Sequence, residues 1–453
     1  MNFGFFAGLT GNVVTHCDKG YLKARRERNL AIQKFPLAIV FCKCEQDVVN
    51  AVCWCQENNI FFRVRNGRHH YAGYSTGNNV LVIDVSNLNT LKLDEEEGYL
   101  VVGGGVNNEK LYRFISSRGY PFPGGSCPSV GLSGYVLGGG WGYSARYLGL
   151  GCDSLVEAVL IDYKGRRTLA NRQINPDLFW ALRGGGGGNF GIIVSMKFKL
   201  PKKVDKVTFI QLYYPNTNTK LQCQFLKVWQ EWLVGLDSRI TLGARIYNSE
   251  SEGKAVFSRG IFYGTPEEAK ILIKPLTNIL GVQVNIQYLP FLDVIKQIES
   301  SYPAYEKFES VSGFVGDMYS DKEISDIVDL IQDRSVGSIY VGISLYAMGG
   351  AIKRKKSADT AFYYRKSEYI IWLNTVWEDD KYEGRNLDWI DRRANFIRSI
   401  SYGSYVNFPY SEIYDYMEEY YGYNQYKLLD VKCTYDPHNV FRFPQSIRLS
   451  TSL

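Results

Sequence analysis

The sequence predicts an α+β protein in two main parts, on two observations. Between Leu37 and Leu200 short apolar strands alternate with helices, yet no Gly-x-Gly-x-x-Gly stands at the first strand-to-helix turn, which argues against a Rossmann dinucleotide fold. After Pro201-Lys202-Lys203 the texture changes to long segments of alternating polarity separated by helical stretches, the pattern of an antiparallel sheet with helices on one face.

Taken in order, Leu37 to Cys44 reads as a buried strand and Glu45 to Asn58 as a helix with Val48, Val49 and Val52 toward the core. Phe61 to Val64 is the next strand and runs into a loop holding His69 and His70. Val80 to Val85 alternates with Leu81, Ile83 and Val85 on one face, and Leu91 to Val102 forms a hairpin around Glu95 to Gly98. Asn107 to Arg118 is an amphipathic helix stopped by Gly119. Ser154 to Tyr163 is a strand closed by Lys164-Gly165, and Pro176 opens a short helix that five glycines, Gly184 to Gly188, terminate before the strand Phe190 to Leu200. Beyond the boundary the alternating segments are Val207 to Tyr214, Ile240 to Tyr247, Ala255 to Phe262, Ile339 to Leu345 and Tyr369 to Trp377. Helices are expected over Thr265 to Leu280, broken near Pro275, and over Asp321 to Asp333.

The totals exclude several functions. A net charge of +6 from 52 basic and 46 acidic residues, scattered along 453, is a poor footprint for nucleic acid. No apolar run approaches the roughly 20 residues that span a bilayer, and the N-terminus lacks the basic start of a signal peptide. The expected location is therefore cytoplasmic, or outside the cell by a route without a recognisable signal, and a monomer is expected. The nine cysteines include Cys42, Cys44, Cys53 and Cys55, but C-x-C pairs lack zinc-site spacing and read as core residues of a strand and helix. No metal is expected. The 34 tyrosines suit a cleft that stacks on flat or sugar-like substrates, or serve as ordinary core residues.

Two glycine-rich stretches carry the chemistry. Pro123 to Gly142 holds eight glycines around Cys127, whose direction is fixed by a Pro-Gly-Gly turn before it and Pro128 after it. Arg63 to Gly77 holds two of the four histidines. Glycine density of this kind lets a large flat group lie against backbone, and backbone N–H groups there can take pyrophosphate oxygens. Gly138 to Gly142, GGGWG, follows a loop and has no acidic residue about 20 positions on, so it is not a dinucleotide fingerprint.

These stretches, the run DLFWALRGGGG from Asp177, and the C-terminal YYGYN with YDPHNVF and QSI from Tyr420 together resemble the berberine-bridge-enzyme-like oxidases of the vanillyl-alcohol oxidase class, across nearly the whole chain. The resemblance implies a PCMH-type FAD-binding domain over residues 1–203, a substrate domain over 204–400 and a segment, 401–453, returning to the FAD domain. It implies FAD bound covalently through His69 to the 8α methyl and through Cys127 to C6, with His70 the competing attachment point. The flavin-contacting set it implies is Arg65, Asn66, Gly67, Arg68, Gly73, Val130, Gly131, Gly134, Tyr135, Gly138, Gly139, Gly142, Gly191, Val194, Tyr405 and Asn407. Arg68 stands where the family has glycine, and Tyr135 where it often has histidine.

For the base, the resemblance offers Tyr405 of Tyr405-Val406-Asn407, since the strand position that is often Gln or Glu in the family is Trp372, which takes no proton. Glu368 is the fallback. Val130 stands at the position where the family has valine in members that react with O₂. The implied reaction is oxidation of an alcohol carbon with O₂ as acceptor and H₂O₂ as product. A carbohydrate is the first substrate class and an alkaloid or aromatic alcohol the second, with a flavin-retaining protein without catalysis as a third reading.

Overall fold

The computed structural model of the chain describes residues 6–449; residues 1–5 and 450–453, including the start of the stretch read for a signal peptide, lie outside it. Three sheets organise the described residues. The first runs Asn12–Thr15, Ala38–Phe41, Leu81–Asp84, Phe62–Arg65, its last three strands parallel. Leu81 and Ile83 pack with Val48 and Val52 of the helix Glu45–Glu57. Val82 and Ile39 pack on the other side with Tyr21 and Ala24, so this strand is buried on both faces rather than the one its alternation suggests, as parallel strands covered on both sides are.

The second sheet is antiparallel in the order Leu91–Asp94, Tyr99–Gly103, Ile192–Lys199, Leu155–Ile161, Arg167–Asn171. Its first two strands are the expected hairpin. Between the first two sheets and the third lies the functional cavity.

The third sheet has seven antiparallel strands: Gln283–Leu289, Val207–Tyr214, Gly253–Phe262, Ile240–Ser249, Ser338–Ala347, Tyr369–Trp377, Lys307–Val315. Period-two alternation gives its strands two distinct faces. Tyr369 meets Trp229 of the helix Thr219–Leu233 edge-on at 5.2 Å, and Thr375 Oγ1 donates to Asn386 Oδ1 of the helix Glu383–Ser399 at 2.7 Å. On the other face of the strand Tyr369–Trp377, residues Trp372, Asn374 and Val376 turn to the cavity. The expected helix Thr265–Leu280 is two, Pro266–Leu272 and Lys274–Thr277, because Pro275 cannot donate to the first.

Of the paired cysteines, Cys42 and Cys55 are buried, Cys53 is half-buried and Cys44 is exposed, so only part of that group is core; all nine are free thiols. Among the described residues no cluster of His, Cys, Asp and Glu could hold a metal ion, and no helix is long and apolar enough to cross a membrane.

The helices Tyr416–Tyr421 and Asn424–Tyr435 return to the glycine loop after residue 183. Tyr421 donates to the Gly185 carbonyl at 3.1 Å. Lys432, wholly buried, donates to the carbonyls of Asn189 at 2.8 Å and Phe441 at 2.7 Å and to Asp436 Oδ2 at 2.7 Å. Burial pulls its ammonium below a lysine's ordinary value and Asp436 opposes the fall. Removing one partner of such a pair leaves the other charged and unpaired. Lys432→Met should therefore lose about 3–5 kcal/mol in urea unfolding, since the buried Asp436 would keep only the backbone N–H bonds of Val440 and Phe441.

Candidate active site

The strand Phe62–Arg65 delivers the first loop. Its last side chain, Arg65, is fully buried and bound to Asp84 at 2.7 Å, to Glu27 at 3.0 Å and to the Ala24 carbonyl at 2.9 Å. Asn66 follows, donating to the Gly104 carbonyl at 2.8 Å and to Ser133 Oγ at 3.1 Å. At Gly67 a Cβ would stand 2.1 Å from the backbone nitrogen of Gly131, so only glycine lets the two loops touch. Arg68 has φ +63°, in the left-handed region, which accounts for the glycine at this position in the resemblance. Its guanidinium is steadied by the Lys23 and Arg26 carbonyls, both at 3.4 Å.

His69 then reaches the cavity wall, where its Nε2 is 2.7 Å from Ser129 Oγ. Burial in the fold, with Arg28 adding, pushes the imidazole down to about 3, so it is neutral. His70 is pushed down equally, to about 3, by burial and then Lys34, and its Nδ1 has no partner. Cys127 stands on the opposing loop, its carbonyl accepting from Asn108 Nδ2 at 3.0 Å. Burial pushes its thiol up, and Arg28 and hydrogen bonds from Ser129 oppose the rise. Ser129 and Arg28 thus serve both His69 and Cys127.

The cavity these loops border has a volume of about 480 Å³. Backbone forms much of one wall, at Gly67, Gly131, Gly134, Gly186, Gly187, Gly188 and Gly191. At Gly134 a Cβ would meet no protein atom, so the missing methyl leaves space for a ligand. The opposite wall is one row across the seven-stranded sheet, in which Arg245 pairs with Ser344 and Ser344 with Trp372. Tyr71 and Phe408 stack in parallel at 5.3 Å, with Trp372 5.9 and 5.8 Å from them. Trp372 Nε1 and Asn374 Oδ1 are buried without partners, a donor and an acceptor left for a polar ligand. Glycine cradle, neutral histidine and thiol on adjoining loops, and unsatisfied wall groups together fit a flavin with room for a substrate.

The structure brings Asn66, Gly67, Arg68, His69, Cys127, Val130, Gly131, Gly134, Tyr135, Gly191, Trp372 and Asn407 to the cavity. Eight expected residues stand off it. Arg65 is consumed by its buried carboxylates. A Cβ at Gly73 would strike Ile32, at Gly138 Asn407, at Gly139 Phe362 and at Gly142 the Gly124 carbonyl, so these four glycines serve packing behind the wall. Val194 is core beside Ile192. Glu368 pairs with Lys353 at the surface. Tyr405 is buried, its hydroxyl accepting from the backbone N–H of Gly140 at 3.0 Å and Trp141 at 3.3 Å and from Asn407 Nδ2 at 3.1 Å. Burial pushes it up to about 12, and these bonds only moderate the rise. Its hydroxyl braces the GGGWG turn, and Tyr405 is not among the residues that line the cavity.

Several wall residues were not foreseen: Arg28, Tyr71, Arg245, Tyr302, Glu306, Tyr340, Tyr346 and Asn374. Arg245 had a visible signal, being the one charge in the strand Ile240–Ser249.

Comparison with known proteins agrees with this geometry. The family model for an FAD binding domain matches residues 36–169, and that for berberine and berberine-like proteins matches residues 404–448. An uncharacterised FAD-linked oxidoreductase of Bacillus subtilis, YgaK, is 34% identical over 447 residues, covering 97% of both chains. BBE-like 1 of Physcomitrella patens superposes with a TM-score of 0.90 at 26% identity, covering 98% of both. A chitooligosaccharide oxidase superposes at 0.87 with 25% identity, covering 97% of both. The chain belongs to the berberine-bridge-enzyme-like FAD-linked oxidoreductases. It is an FAD-binding oxidoreductase of α+β fold.

The left-handed backbone at Arg68 yields a test. Arg68→Gly should keep the loop and the flavin content of the purified protein. Arg68→Val, a β-branched residue forced into the same φ, should cost about 1–3 kcal/mol in thermal unfolding and lower the flavin content.

Proposed function

We propose that the protein is an oxidase that carries FAD linked to both His69 and Cys127 and oxidises an alcohol carbon of a carbohydrate or related substrate, with O₂ as acceptor. The observation that carries this reading is the meeting of the two loops at Gly67 and Gly131, which sets a neutral imidazole and a thiol around one serine, Ser129. His69 is preferred to His70 because His70 is packed between Tyr74, at 4.8 Å, and Phe443, at 6.5 Å. In this reading residues 1–203 with 401–453 form the flavin-binding unit and 204–400 the substrate unit.

When bound, FAD supplies the two-electron oxidation; the chain supplies binding, orientation and an exit for the proton. Asn66, Gly67, Gly131, Gly134, Gly191 and Asn407 hold the cofactor by backbone and amide groups. Trp372 and Tyr346 offer ring faces to the substrate, and Trp372 Nε1 and Asn374 Oδ1 offer a donor and an acceptor to its hydroxyls. A chitooligosaccharide oxidase among the structural relatives supports a sugar as substrate. The parallel Tyr71–Phe408 pair favours an aromatic alcohol as the second reading. Val130, on the cavity wall beside Gly131, leaves a methylene's space by comparison with leucine for O₂ to approach.

Three measurements test this. Denatured protein should stay yellow, with peptide mass spectrometry finding flavin on His69 and Cys127; Cys127→Ala should keep a single link, and complete release of flavin by acid would refute covalent attachment. A peroxide-coupled screen over sugars and aromatic alcohols should find the substrate class. In stopped flow, Val130→Leu should slow reoxidation by air while reduction by substrate stays near wild type.

A further inference from the structure

With Tyr405 and Glu368 off the wall, the cavity's proton acceptor has to be sought among the residues that do line it. The wall holds one carboxylate, Glu306, tied to Arg28 at 3.4 Å. Arg28 also faces Cys127 and His69, and burial raises the Glu306 carboxyl while Arg28 and then Arg245 oppose the rise, so this carboxylate is engaged by the cations around it.

The sheet, by contrast, carries two guanidiniums with no carboxylate in ion-pair range among the described residues: Arg245, which lines the cavity, and Arg259, buried beside it. They lie on adjacent strands, where Arg259 pairs with Gly243 and Arg245 with Phe257, and their side chains share a face. Arg259 donates to Tyr143 Oη at 3.1 Å and to Ser301 Oγ at 2.6 Å, and its Nη2 has no partner. A buried cation such as Arg259 calls for an anion close by. Tyr302 is the group placed to be one. Its ring lies 5.2 Å from the Arg259 guanidinium, and its Oη is 3.0 Å from Ser126 Oγ, one residue from Cys127.

We propose that Tyr302 is the proton acceptor of the reaction, its tyrosinate form favoured by the neighbouring Arg259 and Arg245 and hydrogen-bonded to Ser126. This rests on the alcohol-oxidase reading above. The substrate O–H bond breaks and its proton passes to the Tyr302 oxygen. The electron pair left on the substrate oxygen forms the C=O bond as hydride leaves the carbon for oxidised FAD, and Tyr302 then returns its proton to water.

The electrostatics agree. Burial raises the Tyr302 phenol, but the charges of Arg259 and Arg245 and the bond with Ser126 outweigh it and bring it below a tyrosine's ordinary value. The other tyrosines facing it, Tyr71 from the histidine loop and Tyr340 and Tyr346 from the sheet, are all raised by burial. Tyr143 shares Arg259 and is the one rival for the charge, yet burial raises it and it does not reach the cavity.

The test uses the FAD-loaded enzyme and an alcohol found in the peroxide screen. Wild-type flavin reduction should quicken with pH as Tyr302 ionises, along a limb below the ordinary tyrosine range. Tyr302→Phe should abolish that limb and slow reduction by about 10²–10⁴-fold with substrate affinity little changed. Arg259→Met, or Arg245→Met should the first not fold, should move the limb to higher pH. Independently of turnover, the ultraviolet difference titration of wild type against Tyr302→Phe should show one tyrosinate forming below the range of the rest. A loss under about tenfold in Tyr302→Phe, a limb abolished by Tyr143→Phe instead, or no such early tyrosinate overturns the proposal and leaves the oxidase reading standing. If no alcohol reduces the flavin, the oxidase reading falls and the proton-acceptor role with it.

Discussion

The site depends on two backbones being in contact. Gly67 and Gly131 approach so closely that a methyl on either would collide, with Gly131 N in one case and with the Asn66 amide in the other. Everything else about the cofactor end of the cavity follows from this contact. It sets the distance between the histidine loop and the cysteine loop, gives Asn66 its reach across to Ser133, and puts Ser129 within bonding range of His69. Close packing of this sort transmits error without absorbing it, so the two loops must each be anchored from behind. The anchor of the first is the Arg65 triad with Asp84 and Glu27; that of the second is Asn108, which binds the Cys127 carbonyl.

The parts of this arrangement that local sequence encodes were legible. Glycine density, the Pro-Gly-Gly turn before Cys127, the helix from Asn107 with its Asn side-chain cap at 3.0 Å, and the alternating strands all declare themselves within a few residues. The substrate wall did not. It is assembled from strands far apart in the chain, and pairings such as Arg245 with Ser344 and Ser344 with Trp372 have no local signature. A residue's side of the wall was equally hidden. Arg65 and Arg68 stand three apart in one loop, and only tertiary structure shows that the first turns inward to two carboxylates. Tyr405 shows the same limit: its motif was readable, but its hydroxyl meets backbone N–H groups more than 260 residues earlier, which no local pattern announces.

The cavity also divides its electrostatics in two. Beneath the histidine loop, cation and carboxylates are matched and sealed, which makes for rigidity. On the sheet side, guanidiniums are left short of carboxylates, and polar atoms of Trp372 and Asn374 are left without partners. Unmet demand of this kind is costly in a folded protein and concentrates where ligands bind.

One feature of the fold bears on how the molecule is made. Tyr420, Tyr421, Phe443 and Gln445, all from the segment after residue 404, close one side of the cavity, and Lys432 locks that segment down. Ribosomal synthesis runs from the N-terminus, and earlier regions begin to fold first. His69, Cys127 and their glycines thus precede in the chain the segment that walls this side of the cavity. That segment does two jobs at once: it buries the Lys432 contacts that hold it down, and it supplies the side of the cavity that the earlier loops leave unlined.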